Sequence, residues 1–127
     1  MGREIKRCLV LGAILTTGVS AENGIPVAVH VYNYAQAPAA IVGRAVKEAG
    51  RILGDAGIET GWVDCPITSA EMDKAPACRE ERLTNLTVRI IPQAAESLSP
   101  HMLGFALPHS QGAIHASVFY NRVRLLA

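Results

Sequence analysis

Four histidines and three cysteines carry most of the chemical reach of this chain. His30, His101, His109 and His115 are of a type that ligates metals and moves protons. A zinc-hydrolase helix places two histidines four residues apart with a glutamate after the first. Both imidazoles then leave one face and the carboxylate reaches the metal-bound water. None of the four histidines stands in that pattern. His109 and His115 flank Ser110 and Gln111 without a carboxylate or cysteine beside them, and they read as solvated loop residues. His30 sits among β-branched residues and reads as a hydrogen-bonded sheet histidine. There is no G-x-S-x-G elbow, phosphate loop or G-x-G-x-x-G. By these criteria the sequence has no catalytic residue and no metal-ligand set.

The cysteines depend on the N-terminus. Arg3, Lys6 and Arg7 precede an uncharged, mostly apolar run from Cys8 to Val19, and Val19-Ser20-Ala21 offers small residues for cleavage. That pattern predicts a signal peptide over residues 1–21 and an exported protein, secreted or periplasmic. The run is too short for a bilayer span of roughly 20 residues, so no stable membrane insertion is expected. Read instead as a first strand, it would make a cytosolic ligand-binding α/β domain. Cleavage removes Cys8 and leaves Cys65 and Cys78, an even pair in an oxidising compartment, predicted to form a disulfide. Their spacing is too wide for a redox pair. Asn85-Leu86-Thr87 matches a glycosylation sequon by chance, because it falls in a strand pattern.

Of the 127 residues half are hydrophobic and 18% charged, which excludes a disordered tail and allows one core. Without residues 1–21 the chain has nine basic and ten acidic residues, a net charge of −1. No basic footprint for nucleic acid remains.

These residues must be positioned by a sheet. Ile25 to Tyr34 alternates Val27, Val29 and Val31 with Ala28, His30 and Tyr32, a strand apolar enough on both sides to want cover on both. After Pro38, apolar residues recur at Ile41, Ala45, Ala49, Ile52 and Ala56, widened by Val42, Val46 and Leu53. The spacing predicts an amphipathic helix ending at Gly57, with Arg44, Glu48, Arg51 and Asp55 opposite. Glycines 43, 50 and 54 suggest close approach to a sheet. Ile58 to Cys65 reads as a second strand, joined to the first by a right-handed parallel crossover. Thr68 and Glu71 fit a capping box. Asn85 to Ile91 is a third strand, Leu103 to Leu107 a short border strand weakened by Gly104 and Pro108, and Ala113 to Tyr120 a fifth. Trp62 and Phe105 read as core. The sum is an α/β (α+β) fold: a mixed, mostly parallel sheet of about five strands, one long helix between strands 1 and 2, and a short edge strand 4. A second covering helix is missing, and its place is after Tyr120.

That order resembles the upper subdomain of zincin-type metallopeptidases, the metzincin group above all, in which the fifth strand leads to the H-E-x-x-H helix. Val29 to Pro66 (VHVYNYAQAPAAIVGRAVKEAGRILGDAGIETGWVDCP) and Leu103 to Val123 (LGFALPHSQGAIHASVFYNRV) are similar to a set of secreted bacterial metallopeptidase-like proteins. The resemblance implies zinc-dependent peptide-bond hydrolysis for the full-length family, with zinc as its cofactor. The ligands and glutamate are absent here, so it also implies that residues 22–127 are an upper subdomain incomplete at the C-terminus, truncated before that helix and inactive alone. One family property lies inside the matching region: the edge strand takes an extended substrate by strand addition. That assigns peptide binding to Leu103, Gly104, Phe105, Ala106 and Leu107. A reading from another class is a small secreted non-catalytic α/β binding module that dimerises or docks a partner through Val123, Leu125 and Leu126. On either reading the bare sheet makes the chain prone to associate.

Overall fold

The computed structural model describes residues 26–79, 85–108 and 114–126. The signal peptide expected over 1–21, Cys8, His109, Ser110 and Gln111 lie outside them. In chain order the elements are β1 (Val27–Asn33), α1 (Ala39–Asp55), β2 (Thr60–Cys65), a one-turn α2 (Ser69–Met72), β3 (Asn85–Ile91), β4 (Gly104–Pro108), β5 (Ile114–Phe119) and a short α3 (Tyr120–Val123). The fold is α+β, a five-stranded sheet of order β2-β1-β3-β5-β4 in which only β4 runs antiparallel. Among the described residues no helix is long and apolar enough to cross a membrane.

The helix ends as its glycine requires. Gly57 has φ +84° and its N–H donates to the Gly54 carbonyl, while Ile58 N–H donates to the Leu53 carbonyl. These two bonds satisfy carbonyls that the last turn would otherwise leave open, in a left-handed cap that glycine enters without a Cβ penalty. At the start of α2, Thr68 Oγ1 accepts from the Glu71 N–H at 3.4 Å. On the exposed side of α1, Arg51 pairs with both Glu48 and Asp55. The hydrogen bond from Arg51 holds the Glu48 carboxyl below its ordinary range. Fully exposed pairs of this kind add little stability.

Register and pleat sort the sheet into two faces. Val27, Val29 and Val31 share one face with Thr60, Trp62, Leu86, Val88, Ile90, Ile114, Ala116 and Val118. The helix α1 lies on this face: a Cβ on Gly50 would stand 3.4 Å from Trp62 Nε1 and 3.7 Å from Thr60 Oγ1. Gly43 and Gly54 make no such approach, so the expectation of close helix–sheet contact holds at Gly50 alone. The half-buried side of α1 is Val42, Val46, Ala49 and Leu53, whereas Ile41 and Ile52 stay 40% and 55% exposed. The helix is therefore rotated from the stripe centred on Ile41, Ala45 and Ile52, and no residue of it is fully buried.

Among the described residues, cover for the opposite face does not come from a second long helix. Cys65 and Cys78 form the expected disulfide, with Cα atoms 5.7 Å apart, and draw the segment after β2 over that face. Tyr32 Oη donates to the Cys78 carbonyl there at 3.3 Å, and its burial, with Tyr34 nearby, pushes the phenol above its usual pKa. The tight core is two small clusters: Val29 and Val31 beneath α1, and Phe119 with Ser117 on the other face. The thinly covered apolar surface lies on the helix's own face, past its reach, where Leu86, Val88, Ile90, Ala116 and Val118 are half-buried and Ile114 is 44% exposed. A one-helix layer spans two strands, not five, which is why the gap lies beside α1 rather than opposite it.

Candidate functional site: the border strand

Among the described residues, β4 closes one border of the sheet and pairs only with β5. Its backbone polarity can be assigned residue by residue. Phe119 N–H donates to the Leu103 carbonyl at 2.9 Å, so Leu103 and Phe119 stand as a hydrogen-bonded pair at the head of the ladder. Antiparallel pairing alternates such pairs with non-bonded ones. Phe105 and Leu107, opposite Ser117 and His115, therefore turn their N–H and C=O groups toward β5. Gly104 and Ala106 turn theirs outward, to the unpaired side. Pro108 shares the outward parity, where a missing N–H costs no ladder bond.

Side chains follow the same alternation. Gly104 and Ala106 lie on the face of α1, and Phe105 and Leu107 on the other. Phe105 is 36% and Leu107 59% exposed, which corrects the expectation that Phe105 belongs to the core: a border position leaves one flank of the ring without a neighbour. Its other flank meets Phe119 at a centroid distance of 5.9 Å. Phe119 is in turn covered by the Arg122 guanidinium 5.5 Å from its ring centre, and Arg122 donates to the carbonyls of Ser99 and Met102. Leu103, placed in the strand by sequence, precedes it and supplies the carbonyl that starts the ladder. Close packing fixes Gly104. A Cβ there would collide with the Ser117 carbonyl oxygen and reach 3.4 Å from Ser117 C and Val118 Cα.

No family model, curated protein or solved structure matches the chain.

The histidines are placed apart. His30 on β1 and His115 on β5 flank Thr87 of β3 on the face opposite α1, and His101 lies in the connection before β4. His115 is thus a strand residue, in keeping with the fifth strand expected over 113–120 and not with a loop position. His30 is buried at 6% exposure, as expected for a sheet histidine. Among the described residues no group of three or more histidine, cysteine or acidic side chains is gathered closely enough to hold a metal ion. These described residues do not fit a zinc site.

A concavity of about 560 Å³ opens between α1 and β2. Gly50, Gly54, Gly57 and Trp62 are among the residues that line it, with the indole N–H donating to Thr60 Oγ1 at 2.9 Å. Trp62 is half-buried here rather than fully in the core. At the other end of the chain, Leu125 and Leu126 are 78% and 70% exposed, and Val123 is half-buried.

The border strand is legible in the sequence, but its parity is not. The one available signal was Pro108, which in a paired strand can only face outward.

Proposed function

We propose that this is an exported metallopeptidase-like chain, the substrate-edge half of a zincin-type cleft, that holds an extended peptide along β4 and does not hydrolyse it alone. The observation that carries the reading is β4 itself: a short antiparallel strand at the sheet border, with the N–H and C=O groups of Gly104 and Ala106 directed outward. Strand addition uses such groups and gives affinity independent of guest sequence. The element order, long helix after the first strand and border strand before the fifth, supports the zincin-type assignment. So does the thinly covered apolar surface on Leu86, Val88, Ala116 and Val118, where a helix following β5 in the family's order would pack. The family's H-E-x-x-H is not in the 127 residues, so zinc chemistry needs ligands from elsewhere.

The test is titration with a short extended peptide, followed by amide chemical shifts. About four backbone hydrogen bonds at roughly 1 kcal/mol each imply a Kd on the order of 1 mM. Shifts are expected at Gly104 and Ala106, and N-methylation of alternate peptide nitrogens should abolish them. Saturating peptide that leaves 103–107 unmoved would falsify the reading.

The exposed Leu125 and Leu126 favour one other reading, a non-catalytic module that dimerises through its C-terminal segment. In that case light scattering finds a dimer that Leu126→Asp converts to monomer. A parent protein already monomeric at high concentration removes this reading.

A further inference from the structure

A guest strand antiparallel to β4 meets two kinds of position. Opposite Gly104 and Ala106 it forms hydrogen-bonded pairs on the face of α1, where the host offers a hydrogen atom and a methyl group. Opposite Phe105 and Leu107 it forms non-bonded pairs, in which Cα atoms approach to about 4.5 Å and side chains touch most closely. Those two hosts are the large apolar residues of the border. They lie on one face, next but one in sequence, 36% and 59% exposed. Phe105 is backed by Phe119, and Phe119 by Arg122, so the ring rests on a fixed support. No acidic side chain occurs in β3, β4 or β5, while Arg89 lies on this face, 3.2 Å from Ser117 Oγ, and His115 stands opposite Leu107.

We propose that the border strand selects extended segments with apolar side chains at two alternate positions, i and i+2, which seat against Phe105 and Leu107. The inference rests on β4 being a peptide-binding border and names the class of peptide. Guest residues opposite Gly104 and Ala106 contribute backbone bonds and little selectivity. Their side chains find no comparable partner on β4.

Three capped peptides test this, each with threonine at the outer and central positions and valine, lysine or glutamate at the two alternate ones. Binding is read by amide shifts of β4. The valine peptide is expected to bind about tenfold more tightly than the other two. In the double variant Phe105→Thr, Leu107→Thr the preference should fall below about twofold, with the lysine and glutamate peptides unchanged. Leu107→Thr alone alters a mostly exposed residue and should retain the fold and about half the preference on a logarithmic scale. Equal affinity of all three peptides for the parent overturns the selectivity and leaves strand addition standing. Failure of all three to bind overturns strand addition itself. Ultracentrifugation that finds β4 paired with a second copy assigns the apolar border to self-pairing and also overturns the proposal.

Discussion

Gly104→Ala will loosen β4 from β5 and lower the thermal midpoint by several degrees. The reason is backbone against backbone. A Cβ at position 104 collides with the Ser117 carbonyl oxygen, and Ser117 C and Val118 Cα stand only 3.4 Å away. A flexible side chain could swing aside, but a backbone carbonyl of β5, a strand held on its far side by β3, cannot. The border strand must therefore move out. Overpacking of this kind costs about 1–3 kcal/mol, and valine at the same position more. Hydrogen exchange gives the sharper readout, because the amides of Phe105 and Leu107 face β5 and should lose protection first. Ala106→Gly, two residues along on the same face, provides the control for simple strand weakening, about 1 kcal/mol at most. Unchanged exchange at Phe105 and Leu107 in Gly104→Ala would show that the strand does not sit where the register puts it.

The largest expected loss follows removal of the Cys65–Cys78 bridge. The bridged residues are 13 apart in sequence, and closing a loop of that size stabilises a fold by about 3 kcal/mol in the chain-entropy model. For a domain with a total of about 5–15 kcal/mol this is a large fraction. Here the bridge has little help. Between Pro66 and Arg79 the only buried residue is Cys78 itself, and the regular structure is one α-turn, Ser69–Met72, and one 3₁₀ turn, Pro76–Cys78. Without the tether the segment lifts away, Tyr32 Oη loses the Cys78 carbonyl, and the end of the sheet opposite α1 is uncovered. The double variant Cys65→Ala, Cys78→Ala should unfold at distinctly lower denaturant than the parent, with a smaller difference under reducing conditions. Equal midpoints in oxidising buffer would refute the role given to the bridge.

The element sequence was legible because each element carries its own punctuation. Pro92 closes β3, Gly57 ends α1, and Thr68 with Glu71 starts α2, all local signals that need no tertiary partner. The Cys65–Cys78 pairing was legible from cysteine parity once Cys8 was set aside. What could not be read was orientation. Ile41, Ala45, Ala49, Ile52 and the Val42, Val46, Leu53 group form one broad apolar arc, and periodicity alone does not say which part of it meets the sheet. The structure turns Val42, Val46, Ala49 and Leu53 inward because Gly50, on their side, admits the Trp62 ring. Phe105 stays out of the core for a related reason. Residue type predicts burial in a strand flanked on both sides, and β4 is flanked on one. The side of the sheet left short of cover depends on how many strands one helix spans, which is a property of the assembly and of no single residue.

Pro108 limits what can grow from the border. An unpaired strand edge is a template for repeated addition of like strands, the first step toward a fibril. Here the outward N–H donors come from Gly104 and Ala106, and the next residue of that parity is a proline with none. A guest can zip across a span of about three residues, roughly 10 Å, before its carbonyl meets no donor. The border thus admits a short visitor and denies a propagating stack the length it needs.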